Sequence, residues 1–546
     1  MAQVPAERGT QELLRQQERE RALREQQESR PDVRLERDAP TDSGRLPQDE
    51  QPCFPVQRIL LEGALAGRFD WALKAANPAG DPAIGRCLGT AGVDTVMKRV
   101  QNALIARGYV TTRILAAPQD LTTGTLTLTV VPGRIHALRF AERPDAAPAL
   151  WNALPASPGT LLNLRDIEQG LENLQRVPTA TVDIQIAVPE SGEAAQPGES
   201  DLLVSWAQRS RLRVNLTLDD SGSTATGKLQ AGATVSLDNP LRLNDLFYVN
   251  GGRSVFNGSG RQTESWSAHY SVPLGYWLLG VNASDYDYRQ SVAGAYETYV
   301  YSGASRNAEV RLGRMLLRNA SAKTSAHARG WYRDSDNFID DTEIEVQRRR
   351  MAGWELGLTH KHFIGDSTLD ASVAYRRGTR AFGALPAPEE AFDEGTALGR
   401  IFTADAQLTV PFRLGRQSLR YSASWRAQWN RSLLVPQDRF SIGGRYSVRG
   451  FDGELTLTGE RGWLLRNELG VALGGGQEAY VGADYGHVGG PATQWQMGNA
   501  LAGVALGLRG GTPHAHWDVF VGSPVHKPVG FPTAYTTFGF SLGASF

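Results

Sequence analysis

The sequence predicts a mostly β chain: a sixteen-stranded antiparallel transmembrane β-barrel, preceded by two small α/β domains and an N-terminal helix that plugs the lumen. Three observations predict it. Over roughly 340 residues after Trp206, apolar and polar side chains alternate with period two and helical periodicity is absent. The alternating segments run to about ten residues, the length a tilted strand needs to cross a bilayer. Ahead of them, an order of strand, helix, helix, strand, strand occurs twice, which marks two similar modules in tandem.

The composition is compatible with this architecture and excludes others. The 546 residues carry 57 basic and 58 acidic groups, a net charge of −1. A nucleic-acid partner calls for an excess of Lys and Arg, so none is expected. A mean hydropathy of −0.33 looks soluble, and no apolar run approaches the ~18 residues of a spanning helix. Half-polar strands average to such a value, so a barrel remains open. The 59 Gly exceed the usual ~7% and suit tight turns and small lumen-facing positions.

Met1 is followed by the polar Ala2-Gln3-Val4-Pro5, without a charged-then-apolar leader. An exported protein is therefore expected to appear here as a mature chain with an added start residue. Residues 1–30 are expected to form the plug helix. Within them, 6–30 hold six Glu and six Arg but few apolar residues. Such a helix has no buried face of its own; it suits either solvent or a polar, water-filled cavity. Glu20 and Arg24 are spaced to support it locally. Residues 31–52, rich in Pro and Asp, read as a linker long enough to let the helix travel.

The first module is expected over 53–133, with strands at Val56–Glu62, Tyr109–Leu115 and Thr125–Val131 and helices at Phe69–Ala76 and Val93–Arg107. The second, over 134–208, repeats the order with Ile135–Phe140, Leu150–Leu154, Leu164–Gln175, Val182–Val188 and Leu202–Trp206. Cys53 and Cys87 lie in one small segment with no CxxC or His neighbour that would suggest a metal. They read as a disulfide that contributes about 3–4 kcal/mol and belongs to an oxidising compartment; two unrelated buried thiols are the alternative.

Residues 209–546 are expected to form the barrel. Trp266, Ala268, Tyr270 and Val272 interleave with Ser265, Ser267, His269 and Ser271; Phe402, Ala404, Ala406 and Leu408 interleave with Thr403, Asp405 and Gln407. A soluble β-sandwich or propeller would show similar alternation. The polar faces are rich in Arg, Asp and Gln, as a wet lumen allows, and no blade repeat occurs. The chain ends TTFGFSLGASF, with Phe538, Phe540, Leu542, Ala544 and Phe546 on one face.

Two motifs sharpen the picture. Val448-Arg449-Gly450-Phe451 lies in a long segment between strands, and Tyr480-Val481-Gly482-Ala483-Asp484-Tyr485-Gly486 lies on a later one. The first resembles the VRG(F/Y) loop motif, and the second the inward-facing strand motif, of the superfamily that joins POTRA domains to an outer-membrane barrel. Each tandem module resembles a POTRA domain, and the terminal Phe546 resembles the C-terminal signal of outer-membrane barrels. Within the superfamily the chain resembles the TpsB transporters of two-partner secretion, of the haemolysin, haemagglutinin and contact-dependent-inhibition type. Two modules, the polar helix with its linker, the Pro-Cys-Phe-Pro opening at Pro52–Pro55 and the Tyr270-Ser271-Val272-Pro273-Leu274-Gly275 segment carry that resemblance.

The resemblance implies an outer-membrane pore, with its N-terminal domains in the periplasm, that moves a large TpsA-type exoprotein to the cell surface without ATP. It implies POTRA edges that capture the unfolded partner, with Val110–Leu115 and Val182–Val188 as candidate strands. The further partners expected are outer-membrane lipid and, during biogenesis, the barrel-assembly machinery, with the transporter acting as a single chain. It further implies that Arg449 anchors its loop to Asp484, where a guanidinium and a carboxylate meet bidentately, with Gly450 and Gly482 admitting close backbone approach. An assembly insertase of the same superfamily is the alternative function. No cofactor, metal site or catalytic residue is expected. Gly539-Phe540-Ser541-Leu542-Gly543 fits GxSxG but lies in a regular strand pattern, not at a strand-to-helix turn.

Overall fold

The computed structural model describes residues 5–28, 31–35, 44–189, 196–258, 260–293 and 296–546, with the side chains of 5–8 omitted. Parts of the expected plug helix (1–4, 29–30) and linker (36–43) lie outside the described residues. Helix α1 spans Pro5–Gln27.

The first module is a three-stranded sheet of β1 (Arg58–Glu62), β2 (Arg113–Leu115) and β3 (Thr125–Val131), covered by helix α2 (Thr90–Ala106). Strand β3 is central, parallel to β1 and antiparallel to β2. Its alternating Leu126, Leu128 and Val130 are buried against Val96, Val100 and Leu104, which recur every four residues on α2. Only Arg113–Leu115 of the expected Tyr109–Leu115 strand joins the sheet; Tyr109 instead packs edge-on against Phe69, ring centres 5.1 Å apart, in the module core. Cys53 and Cys87 form a disulfide across a two-residue pairing of Phe54–Pro55 with Cys87–Leu88.

The second module repeats the plan with β4 (Arg134–Phe140), α3 (Leu164–Gln175), β5 (Ala180–Ala187) and β6 (Glu199–Gln208), β6 central. The expected Leu150–Leu154 element is a single turn closed by the Leu154 N–H on the Leu150 carbonyl. Pro148 and Pro155 bracket it, and a residue preceding proline is disfavoured in helix.

Sixteen long strands then close an antiparallel barrel. They are β7 (Leu212–Asp219), β8 (Leu229–Asp238), β9 (Leu246–Val255), β10 (Gln262–Leu274), β11 (Trp277–Ala293), β12 (Thr298–Arg318), β13 (Ala322–Ile339) and β14 (Arg349–Ile364). The second half comprises β15 (Ser367–Thr379), β16 (Arg400–Leu414), β17 (Gln417–Asn430), β18 (Arg461–Gly474), β19 (Gln477–Gly489), β20 (Ala500–Gly511), β21 (Ala515–His526) and β22 (Thr537–Ser545). Closure pairs β22 with β7, and Phe546 exchanges both backbone hydrogen bonds with Val214.

Burial follows the alternation: on β10, Trp266 is exposed while Ser267, His269 and Ser271 are buried. The apolar faces point out, as a bilayer requires, and the polar faces point into the lumen. The GxSxG match runs along β22 in unbroken register with β21. Turns on the side of the modules are short, whereas the longest connection, between β17 and β18, carries Arg449.

Candidate functional site

The β17–β18 connection folds back into the barrel. A short hairpin, Phe440–Ile442 with Leu457–Gly459, frames it, and its apolar residues supply the first hold. Val448 and Phe451 are buried with Phe440, Ile442, Leu464, Val488, Leu501 and Phe531, Phe451 meeting Phe531 edge-on at 6.0 Å.

Between these two apolar anchors, Arg449 turns to the wall. Its Nε and Nη2 donate to Asp484 Oδ2 and Oδ1, both at 2.8 Å, and its backbone N–H donates to Oδ2 at 2.9 Å. Nη1 donates to Glu468 at 2.7 Å and Nη2 to the Asn467 carbonyl at 3.3 Å. Both side chains of the central pair are almost fully buried, Arg449 at 5% and Asp484 at 1% exposure. Strand register explains the convergence: Glu468 on β18 faces Gly482 on β19, two residues from Asp484 on the same face.

Glycines make the room. A Cβ on Gly482 would stand 2.4 Å from Arg449 Nη2, and one on Gly486 would stand 2.9 Å from Val448 Cγ2. Gly450 has φ +94°, and a Cβ there would stand 2.4 Å from the Ser523 carbonyl. Two further glycines complete the cradle. A Cβ on Gly503 would fall 1.9 Å from the Arg449 carbonyl oxygen, and one on Gly522 would fall 2.9 Å from Gly450 Cα. Sequence reasoning found Arg449, Gly450, Gly482 and Asp484 but missed Glu468, Gly503 and Gly522. The period-two position of Glu468 on the lumen face was the available signal.

Helix α1 occupies the lumen beside this loop. Arg15 donates to the Gly453 carbonyl of the loop at 2.6 Å. Glu12 accepts from Ser223 Oγ at 2.6 Å, and Leu13 packs among Tyr286, Tyr288 and Tyr301. Lower on the helix, Arg21 pairs with Asp405 at 3.1 Å and Arg24 with Glu309 at 2.6 Å. These partners sit on β11, β12 and β16 and on the β7–β8 connection, so the helix spans the cavity from wall to wall. Arg24 pairs with the wall; the i,i+4 pair on the helix itself is Arg21 with Glu25. Equal numbers of Glu and Arg let the helix answer wall charges of both signs.

A second buried cluster ties the second module to the barrel. Arg318, at the module-side end of β12, pairs with Glu168 and Glu172 of α3 at 3.1 and 2.7 Å. Its Nη2 also donates to the Val33 carbonyl at 2.7 Å. Val33 and Leu35 return their N–H groups to Glu172 and Glu168, and Asp32 is held by Lys323 and Lys361. Described parts of the linker are therefore docked rather than free. Further on, the Leu46 N–H donates to Asp81, and Glu50 accepts the Gly89, Ala91 and Gly92 N–H groups that begin α2.

Residues 198–510 match the haemolysin secretion/activation protein family ShlB/FhaC/HecB. The chain belongs to this family. Residues 54–133 match a ShlB-type POTRA domain and 134–187 a POTRA domain, so the two modules take that name. Outer membrane transporter CdiB-2 of Burkholderia pseudomallei (strain 1026b) is 37% identical over 97% of this chain and 93% of its own. The structure of CdiB from Acinetobacter baumannii superimposes with a TM-score of 0.87 at 30% identity, covering both chains completely. CdiB from Escherichia coli gives 0.85 at 26% identity, also over both chains completely. As members of this family do, the protein resides in the outer membrane with its POTRA domains in the periplasm. The turns on the POTRA side are thus periplasmic and the Arg449 loop descends from the cell surface.

Proposed function

We infer that the protein is an outer-membrane transporter of two-partner secretion that passes one large TpsA-type exoprotein from the periplasm to the cell surface. The Arg449–Asp484 lock, inside a lumen that α1 otherwise fills, is the observation that carries this reading. It is a gate: two separate bodies, loop and helix, occupy the path, and their charged contacts with the wall are ones that water and a polar chain can replace. The POTRA domains capture the unfolded partner by adding a strand to a sheet edge. Strands β2 and β5 are both edges, and exposed Leu115, Ile186 and Val188 offer apolar contacts along them. Folding of the partner outside the cell supplies the drive. The disulfide braces the first domain in the oxidising periplasm, and Phe546 marks the last strand for the assembly machinery.

Proteoliposomes test it. With the protein reconstituted and its TpsA-type exoprotein supplied unfolded on the POTRA side, the exoprotein should become protected from added protease inside the vesicle. Insertion of unrelated barrel proteins into the same vesicles, without passage of the exoprotein, would instead identify an insertase.

A further inference from the structure

We propose that Trp151 of the second POTRA domain, with Leu241 on the first periplasmic turn, seats in the periplasmic leaflet of the outer membrane, so that this domain rests on phospholipid as well as on the barrel. The periplasmic domains contain three tryptophans. Trp206 is buried in the core of the second domain, and Trp71 lies under the Arg107 guanidinium at 3.7 Å. Trp151 is 68% exposed. An indole left in water forgoes the burial that its large apolar face would gain.

Its backbone surroundings fix where it stands. Asn152 is buried and its Nδ2 donates to the Leu243 carbonyl at 2.6 Å and the Pro273 carbonyl at 3.1 Å. Its own carbonyl accepts the Gly275 N–H at 2.6 Å. On the other side, the Ala149 N–H donates to the Arg242 carbonyl at 2.7 Å, and Asn244 Nδ2 donates to the Ala149 carbonyl at 2.7 Å. Trp151 is thus clamped between the β8–β9 and β10–β11 turns. Those turns end membrane-spanning strands, which places the indole at headgroup depth, where tryptophan is enriched.

The exposed apolar surface is continuous with the barrel's lipid belt. Outward-facing Leu237 ends β8, and Leu274 and Trp277 flank the next turn, all exposed. Leu241, 62% exposed, extends that belt onto the turn itself, and the exposed Arg242 beside it suits an anionic headgroup. The Arg318–Glu168–Glu172 cluster holds the domain at this height.

The test uses the full chain in nanodiscs of phosphatidylethanolamine and phosphatidylglycerol. Both native cysteines are in the disulfide, so single Trp151→Cys and Leu241→Cys variants each accept one nitroxide label. Val188→Cys, at the end of β5 remote from the barrel and 87% exposed, is the aqueous control. The ratio of oxygen to nickel-chelate accessibility should be several-fold higher at 151 and at 241 than at 188. Because Leu241→Cys leaves the indole intact, it reports even if Trp151→Cys perturbs the docking. A ratio at both sites equal to that at 188 overturns the proposal. An aqueous label at 151 that becomes shielded only when the exoprotein is added also overturns it, in favour of a polypeptide site.

Discussion

Asp484 binds the backbone and the guanidinium of Arg449 at once, so one carboxylate sets both the position of the loop residue and the direction of its side chain. An isolated bidentate pair would fix direction alone. The third bond means that the loop main chain moves whenever the pair breaks. Removing one member of such a buried pair costs about 3–5 kcal/mol, because the other is left unpaired.

Arg449→Ala should abolish most secretion while the barrel still inserts. Arg449→Lys should behave nearly as badly, since an ammonium cannot reproduce the fork toward Asp484 and Glu468. Exoprotein in the medium, measured beside heat-modifiable gel mobility of the transporter, separates the two effects. Normal secretion by both variants would remove the lock from the mechanism.

Gly503→Ala should mimic Arg449→Ala without touching a charge. The added methyl meets the Arg449 carbonyl, a backbone atom that cannot swing aside. Secretion should fall several-fold, whereas alanine at Gly251, where a Cβ meets nothing, should be silent in the same assay.

Arg24→Glu should raise single-channel conductance in planar bilayers by setting two carboxylates against each other at Glu309. The paired exchange Arg24→Glu with Glu309→Arg should restore much of the closed state. Deleting residues 2–28 sets the upper limit of conductance; a deletion variant no more conductive than the parent would show that α1 does not block the pore.

Arg318→Leu should loosen the second POTRA domain from the barrel. Glu168 and Glu172 would lose their shared cation but keep Arg165 and Lys323, so the cost should stay below the ~3–5 kcal/mol of a buried charge left wholly unpaired. Distances between spin labels on β5 and on a periplasmic turn should broaden markedly, while the strands of the barrel stay protected from protease.

Acid should release the linker from the first POTRA domain. The Leu46 N–H, and then the Arg99 guanidinium, hold the Asp81 carboxyl below the usual aspartate range. A lowered folded-state pKa stabilises the docked form above the unfolded value and loses that contribution as pH falls through the lowered one. The protection of the Leu46 amide, its exchange rate relative to a free amide at the same pH, should therefore be high at neutral pH and fall only on the acid side of about 4, the ordinary aspartate value. Asp81→Asn should abolish the pH dependence.

Most of the barrel was legible because its physics is local: each strand announces its two faces by alternation, and sixteen such segments leave little choice of fold. The Arg449 and Asp484 motifs were legible as residue types. What escaped was whatever depends on register between distant strands. Glu468 matters because β18 and β19 pair so that it stands beside Asp484, and Gly503 and Gly522 matter because β20 and β21 run behind the loop. Gly503 and Gly522 are not marked by their neighbours in sequence, and the alternation around Glu468 marks its face but not its partner. The Pro- and Asp-rich stretch around Asp32 and Val33 reads as a free linker for the same reason; its partners include Arg318, Lys323 and Lys361, nearly 300 residues or more away. The turn around Trp151 reads as an element of the repeat because two prolines bracket a run too short to show any period.

The docked stretch from Asp32 to Leu35 imposes an order of events on opening. Helix α1 has 23 residues and is about 35 Å long. While Asp32 stays clamped, residues 28–31 give it a tether of about 14 Å at full stretch, so the helix can slip but not clear the lumen. Once the clamp opens, the next described contact along the chain is the Gly44 carbonyl with Arg99, and a fully extended chain between helix and contact would reach about 55 Å. Since the clamp is made of the POTRA helix α3 and the barrel end of β12 together, any pull that parts those two lengthens the leash. Separation of the second POTRA domain from the barrel would thus free the plug from outside the lumen.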